Sequence, residues 1–186
     1  MVTATERGRE VRERMLRAAS ELIVERGWTA TTTRVVAERA GVAPGLVHYH
    51  FRSVQALLTE AALDTARALT AQVTPLLAGT RSAADAVDRL FRALDPHTGT
   101  DPASVLLVEA YLAATRDEQL RQQLAEVIRD FRRDLADRLA AHGVPGPETT
   151  AAVVAAAVDG VMLHRALLGP ERGDTTTVLR RLVRSR

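Results

Sequence analysis

Apolar residues return every three or four positions along almost the whole of this 186-residue chain, a spacing that suits helices and little else. Val11, Met15, Ala18, Ala19, Leu22 and Ile23 fall on one stripe of a helix. Glu10 with Arg14, and Glu13 with Arg17, stand four apart on its wet side. Leu120, Leu124, Val127, Ile128, Phe131, Leu135 and Leu139 repeat the pattern more cleanly. Alanine, leucine and arginine are good helix formers and dominate the composition. The pattern predicts an all-α chain of about nine helices, with no strand and no internal repeat.

Glycine, proline and hydroxyl residues punctuate these helices. Gly27 predicts a C-terminal cap for the first helix, and Trp28 a plug folded back into the core. A run of threonines follows, Thr29, Thr31, Thr32 and Thr33, and a threonine N-cap opens a helix over 34–40 with Val36, Ala37 and Ala40 inward. Gly41 breaks it, Pro44 suits a first helical turn, and a short helix runs to His50. Helix, tight glycine turn and short helix make the helix-turn-helix pattern. Ser53 caps a longer helix that carries Leu57, Leu58 and Ala61 until Pro75 interrupts it. Ser82 with Asp85 forms a capping box, and Asp101 with Pro102 starts another helix after a proline- and glycine-containing loop. In that helix residues 105–114 are apolar apart from Glu109, and a helix apolar on most sides is expected to be buried. The last two helices are expected over 148–168 and 176–184. By this reading residues 1–53 form a helix-turn-helix domain and residues 54–186 a second, larger helical domain.

Composition removes whole classes of function. The chain has no cysteine, which excludes disulfides, thiolate metal sites and a thiol nucleophile. It has no G-x-S-x-G, H-E-x-x-H, P-loop or glycine-rich dinucleotide motif, so neither an enzyme nor a cofactor is expected. His48 and His50 cannot share a metal ion on a helix, where positions two apart point about 200° from one another. No apolar run approaches the roughly 18 residues of a membrane span, and no apolar stretch follows Arg7, Arg9, Arg12 and Arg14 as in a signal peptide. A cytoplasmic location without membrane contact is therefore expected. The net charge of +2 is uneven, with nine arginines against six acidic residues in 1–53 and a small negative excess beyond. A surface that neutralises phosphates needs such local charge. The Arg7–Arg17 cluster reads equally as a DNA-contacting arm or as a solvated helix face.

The stretch from Gly27 to Leu58 resembles the DNA-binding domain of the TetR family of bacterial regulators. The resemblance rests on Gly27 and Trp28, the threonines before Arg34, the run Ala37-Glu38-Arg39-Ala40-Gly41-Val42, Pro44-Gly45, the aromatic-rich end His48 to Phe51, and Ser53 with Leu57-Leu58. It implies that double-stranded operator DNA is the partner. Thr32, Thr33 and Arg34 would touch phosphates at a helix N-terminus. Ala43, Gly45, Leu46 and Tyr49 would face base edges, with His48 and His50 flanking them at the backbone. Two positions depart from the family: Leu46 replaces a small polar residue, so one base contact would be apolar, and Val54 replaces a lysine, so one phosphate contact would be lost.

The remainder of the chain looks like the family's ligand-binding and dimerisation domain. Ala152, Ala155, Ala156, Asp159, Gly160 and Leu163 are spaced to let two helices approach closely, either inside one subunit or, as the resemblance implies, in a homodimer through residues 148–184. The resemblance also implies a repressor released from a palindromic operator by an unidentified small molecule. Phe91, Glu109, Tyr111, Phe131 and His164 are the candidates to line the effector site. Glu109 either pairs with an arginine or lines a polar pocket, since a lone carboxylate in an apolar helix needs a partner. The competing reading is a helical ligand-binding protein without DNA affinity. Leu46, Val54 and the slight positive charge favour it; the intact turn over 37–45 and the threonine cap oppose it.

Overall fold

The computed structural model describes residues 4–169 and 175–183. Among these residues stand nine α-helices and no strand: α1 (Ala4–Arg26), α2 (Thr33–Ala40), α3 (Pro44–His50), α4 (Val54–Leu77), α5 (Ala83–Arg92), α6 (Pro102–Ala114), α7 (Glu118–Ala141), α8 (Pro147–Leu168) and α9 (Thr175–Leu182). The expected end of the last helix at Arg184 lies outside the described residues. The chain forms two compact units, one holding the chain as far as Ala66 with Val105–Gln123, the other Arg67–Ser104 with the chain from Leu124 onward. Compactness therefore divides the chain within α4, α6 and α7, whereas the boundary at 53/54 read from the sequence falls on the N-cap of α4.

In the first unit the α1 stripe is buried as its spacing requires, with Met15, Ala19, Leu22 and Ile23 fully inaccessible. Gly27 ends α1 in the left-handed region at φ 79°, its amide donating to the Ile23 carbonyl at 2.9 Å. Trp28 is buried behind it. In α6 only one side is buried: Leu106 and Ala110 are covered, while Val108 and Leu112 are 42% and 53% exposed. Full burial was the expectation for so apolar a helix. A helix without a polar face carries no sign of which side meets solvent, so sequence cannot assign it.

In the second unit Val87, Leu90, Phe91, Leu135, Leu139, Ala151, Val154 and Leu179 form one core. Pro75 does not stop α4, which runs on to Leu77. Leu77 is buried in that core, and its burial carries the last turn past the missing proline N–H. The capping box at the start of α5 forms in altered shape. Ser82 Oγ accepts the Asp85 N–H at 3.1 Å, and the Asp85 carboxylate accepts the Arg81 N–H at 3.0 Å rather than that of Ser82.

The loop between α5 and α6 is clamped to α8. Arg165 donates to the carbonyl oxygens of Leu94 at 2.6 Å and His97 at 3.0 Å. Gly99, at φ 82°, is buried against the α8 backbone, where a Cβ would overlap the Ala166 amide nitrogen and lie 2.5 Å from the Met162 carbonyl oxygen. Asp101 then starts α6, accepting the Ser104 N–H at 3.2 Å and hydroxyl at 2.6 Å, with His97 Nδ1 at 3.1 Å. Burial alone would push its carboxyl up. The Ser104 hydroxyl, the His97 ring and the Ser104 amide outweigh burial and hold it at about 2.

Two expected outcomes follow. Gly99→Ala forces both a left-handed alanine, costing about 1–2 kcal/mol, and an overlap with rigid backbone, costing about 1–3 more. Gly79→Ala, at φ 101° with open space around it, carries the first cost alone. Urea unfolding of the two variants separates them, and equal losses would refute the clamp. The second concerns acid. A carboxyl depressed in the folded state contributes stability above its ordinary value of 3.8, and loses it as pH falls toward 2. Asp101→Asn cannot titrate, so its unfolding free energy should fall less steeply than the parent's between about pH 4 and 2.

Candidate nucleic-acid interface

The helix-turn-helix is assembled from short-range rules. Thr32 stands in extended backbone (φ −104°, ψ 162°), and its Oγ1 accepts the Val35 N–H at 3.5 Å, capping α2. Gly41 closes α2 in the left-handed region (φ 64°), and the next amide, Val42, donates back to Ala37 at 3.0 Å. Ala43 is extended again, and Pro44 opens α3 without needing an N–H partner. Val47 is fully buried on α3, and Phe51, ending the helix, is 4% exposed.

Charged side chains tie these helices without occupying their outer face. The Arg12 guanidinium lies 4.9 Å from the Phe51 ring centroid and pairs with Glu60 at 2.5 Å. Arg39, at the end of α2, reaches Glu21 at 3.1 Å and Glu25 at 2.6 Å on α1. Its hydrogen bond holds the Glu25 carboxyl below the usual carboxylate range. Arg52 donates to Gln119 of α7 at 2.6 Å.

What remains outward is the face expected to meet DNA. Thr32 and Arg34 are exposed and Thr33 half-buried at the start of α2. Ala43, Gly45, Leu46, His48 and Tyr49 are exposed on and before α3, Tyr49 at 80%. His50 is half-buried, its ring meeting that of Tyr49 edge-on at 5.1 Å between centroids. These nine residues lie in one unit, on two consecutive helices and their caps. Among the described residues no three histidine or acidic side chains gather as metal ligands.

The candidate effector residues are divided. Glu109 and Tyr111 belong to the first unit, and Phe91, Phe131 and His164 to the second. Phe91 is part of the second unit's core and Phe131 packs partly buried against it. His164 is exposed on α8. Of the two readings open for Glu109, an arginine partner or a polar pocket, the arginine's place is taken by backbone: its Oε2 accepts the N–H of Trp28 at 2.8 Å. Sequence reasoning singled out the carboxylate but missed its partner, because an unpaired amide at the end of a helix has no residue signature.

Comparison with known proteins covers nearly the whole chain. Residues 15–61 match the model described as bacterial regulatory proteins, tetR family, and residues 81–185 that described as tetracyclin repressor-like, C-terminal domain. An uncharacterized HTH-type transcriptional regulator of Mycobacterium tuberculosis is 30% identical over 178 residues, spanning 89% of this chain and 88% of its own. The solved structure of a Streptomyces coelicolor A3(2) protein classed as a transcriptional regulator superimposes with a TM-score of 0.78 at 27% identity, over 94% of this chain and 96% of that one. That of the multidrug binding protein EbrR, complexed with imidazole, gives 0.69 at 30% identity, over 94% and 90%.

The geometry of α3 sets a stability test. Tyr49→Ala removes a side chain that is 80% exposed, so unfolding free energy should move by less than about 0.5 kcal/mol, and Leu46→Ser, at 39% exposure, should cost about 1 kcal/mol at most. Val47→Ala, between them in the chain, should cost about 2–3 kcal/mol. Comparable losses at all three positions would mean that the outer face is packed after all.

Proposed function

Because the chain belongs to the tetR family of bacterial regulatory proteins, we propose that it represses transcription as a homodimer bound to a palindromic operator and leaves that operator when a small molecule binds. The observation that carries the reading is the outward face of α3, held by Val47 and Phe51 and unused by the protein's own packing. A short recognition helix so presented suits a major groove. Thr32, Thr33 and Arg34 hold phosphates at the start of α2, the Thr32 hydroxyl keeping a proton to donate while its oxygen caps the helix. Ala43, Gly45, Leu46 and Tyr49 read bases, Leu46 against an apolar group such as a thymine methyl. His48 and His50 flank them at the backbone.

The homodimer is supported by α8. Of the small residues expected at the interface, Ala155 is buried within its own chain, while Ala156, Gly160 and Leu163 share a stripe with Val153 and Leu167, at three- and four-residue steps on the side away from the buried Ala151 and Val154. Val178 and Leu182 of α9 are exposed as well, at 61% and 50%. A second copy of the same helices covers this stripe in a twofold arrangement, which in turn gives the operator its palindrome. The effector enters the second unit beside Phe91 and Phe131. A multidrug binding protein among the similar structures supports an apolar or aromatic molecule. The protein works in the cytoplasm, where its DNA is.

The test is a titration against the duplex flanking the protein's own gene at two salt concentrations, with a scrambled duplex as control. Saturable binding that weakens with salt, and falls tenfold or more for Tyr49→Ala, is expected. Equal weak binding to both duplexes would favour the helical ligand binder without DNA function. In sedimentation, Leu163→Glu with Leu167→Glu should convert a dimer to a monomer and abolish operator binding. A dimer that survives both charges would move the interface elsewhere.

A further inference from the structure

We infer that Glu109 is a positioning residue for DNA binding, whose carboxylate on α6 holds the turn between α1 and α2 from which the interface is built. The inference rests on the DNA-binding reading above.

Glu109 is the single charged side chain of α6, on a helix otherwise almost wholly apolar. A half-buried carboxylate is costly to keep there when an apolar residue would fit the pattern. Its place is also electrostatically poor. Oε2 lies 3.4 Å from where a Gly27 Cβ would be, against the C-terminal end of α1, where the helix dipole disfavours negative charge. A residue selected for local stability alone would not be an acid. What the carboxylate supplies is a short, directional, charge-assisted hydrogen bond to one amide, that of Trp28 at 2.8 Å.

That amide is the hinge of a small polar cage. Trp28 follows Gly27, where the chain leaves α1 in the left-handed region. Thr31 returns to the same turn, its hydroxyl donating to the Gly27 carbonyl at 3.0 Å and its amide to the Trp28 carbonyl at 3.3 Å. The Trp28 indole donates to Gln55 of α4 at 2.9 Å. Thr32, the cap of α2 and a proposed phosphate contact, is the next residue. Glu109 thus reaches the interface through four consecutive residues without touching DNA. It does so from a helix whose first turn groups with the second unit and whose remainder groups with the first.

The experiment uses the full chain and the best duplex that the unmodified protein recovers from a random-sequence pool. Three variants are compared: Glu109→Gln keeps an acceptor, Glu109→Leu removes it, and Glu109→Asp keeps the charge but shortens the arm. The readouts are duplex affinity, its salt slope, hydrogen exchange at the Trp28 amide, fluorescence of this sole tryptophan, and the melting temperature. Glutamine should bind within about threefold of the parent. Leucine should lose Trp28 amide protection and roughly tenfold in affinity. Its salt slope should not change, because no phosphate contact is removed, whereas Arg34→Ala should lower the slope. Where the leucine variant fails to fold, the aspartate variant should show the same affinity loss in smaller measure. A folded variant with an unprotected Trp28 amide and parental affinity would overturn the inference and leave Glu109 as packing. If the unmodified protein recovers no preferred duplex, the regulator reading itself fails, and the inference falls with it.

Discussion

A helix of seven residues has no stability of its own in water, since nucleation costs more than so few hydrogen bonds return. The outward face of α3 therefore exists only because its inward face is buried. Val47 and Phe51 together bring about 3–6 kcal/mol of apolar burial to the site. The ion pairs of Arg39 with Glu21 and Glu25 lie largely in solvent and are worth little each. Burial thus decides whether α3 forms, while these charged contacts join α2 to α1. Gly41 and Pro44 complete the constraint by fixing the turn before any partner arrives. This separation of duties leaves Ala43, Gly45 and Tyr49, exposed on and before α3, free to change without endangering the fold.

The polar contacts of the interior follow a second logic, in which a few directional bonds fix places where apolar packing is indifferent. Apolar burial does not say where along α8 the loop from Asp95 to Asp101 should lie. Arg165, donating to two carbonyls, and Gly99, buried against the α8 backbone, do say it. Asp101 converts that fixed loop into the start of α6, and Glu109 two turns later converts α6 into a grip on Trp28. Each of these groups is costly to bury and therefore informative about position.

How much of this was legible in the sequence depends on the range of the physics involved. Capping threonines, left-handed glycines and first-turn prolines act over four residues, so the helix-turn-helix could be read directly, down to the inward set Val36, Ala37 and Ala40. The α1 and α7 stripes were legible because charge marks their wet sides. The readings that failed depended on distant chain. Pro75 was overridden by burial of Leu77, and α6 lacked a polar face to show which side is exposed. Glu109 found a backbone amide 81 positions away rather than an arginine. The candidate effector residues were chosen as aromatics and lone polar groups in apolar helices. That rule does not separate a cavity wall from core packing, and Phe91 stands in the second unit's core.

The α8 helix shows why composition alone misleads. Over an 18-residue window its mean hydropathy is 1.6, enough by length and composition to cross a membrane. Yet its apolar residues divide into two opposed faces with different fates. Ala151, Val154 and Ala155 are buried in the core of the second unit, while Val153, Leu163 and Leu167 stand 47%, 46% and 75% exposed. Gly160, half-buried, lies on the same stripe, with open space among the described residues where a Cβ would go. Small and branched residues in one stripe, beside a filled core, fit a second helix approaching closely along that line. The same helix therefore closes the core on one side and on the other leaves an apolar stripe uncovered, the face that the proposed twofold partner would take.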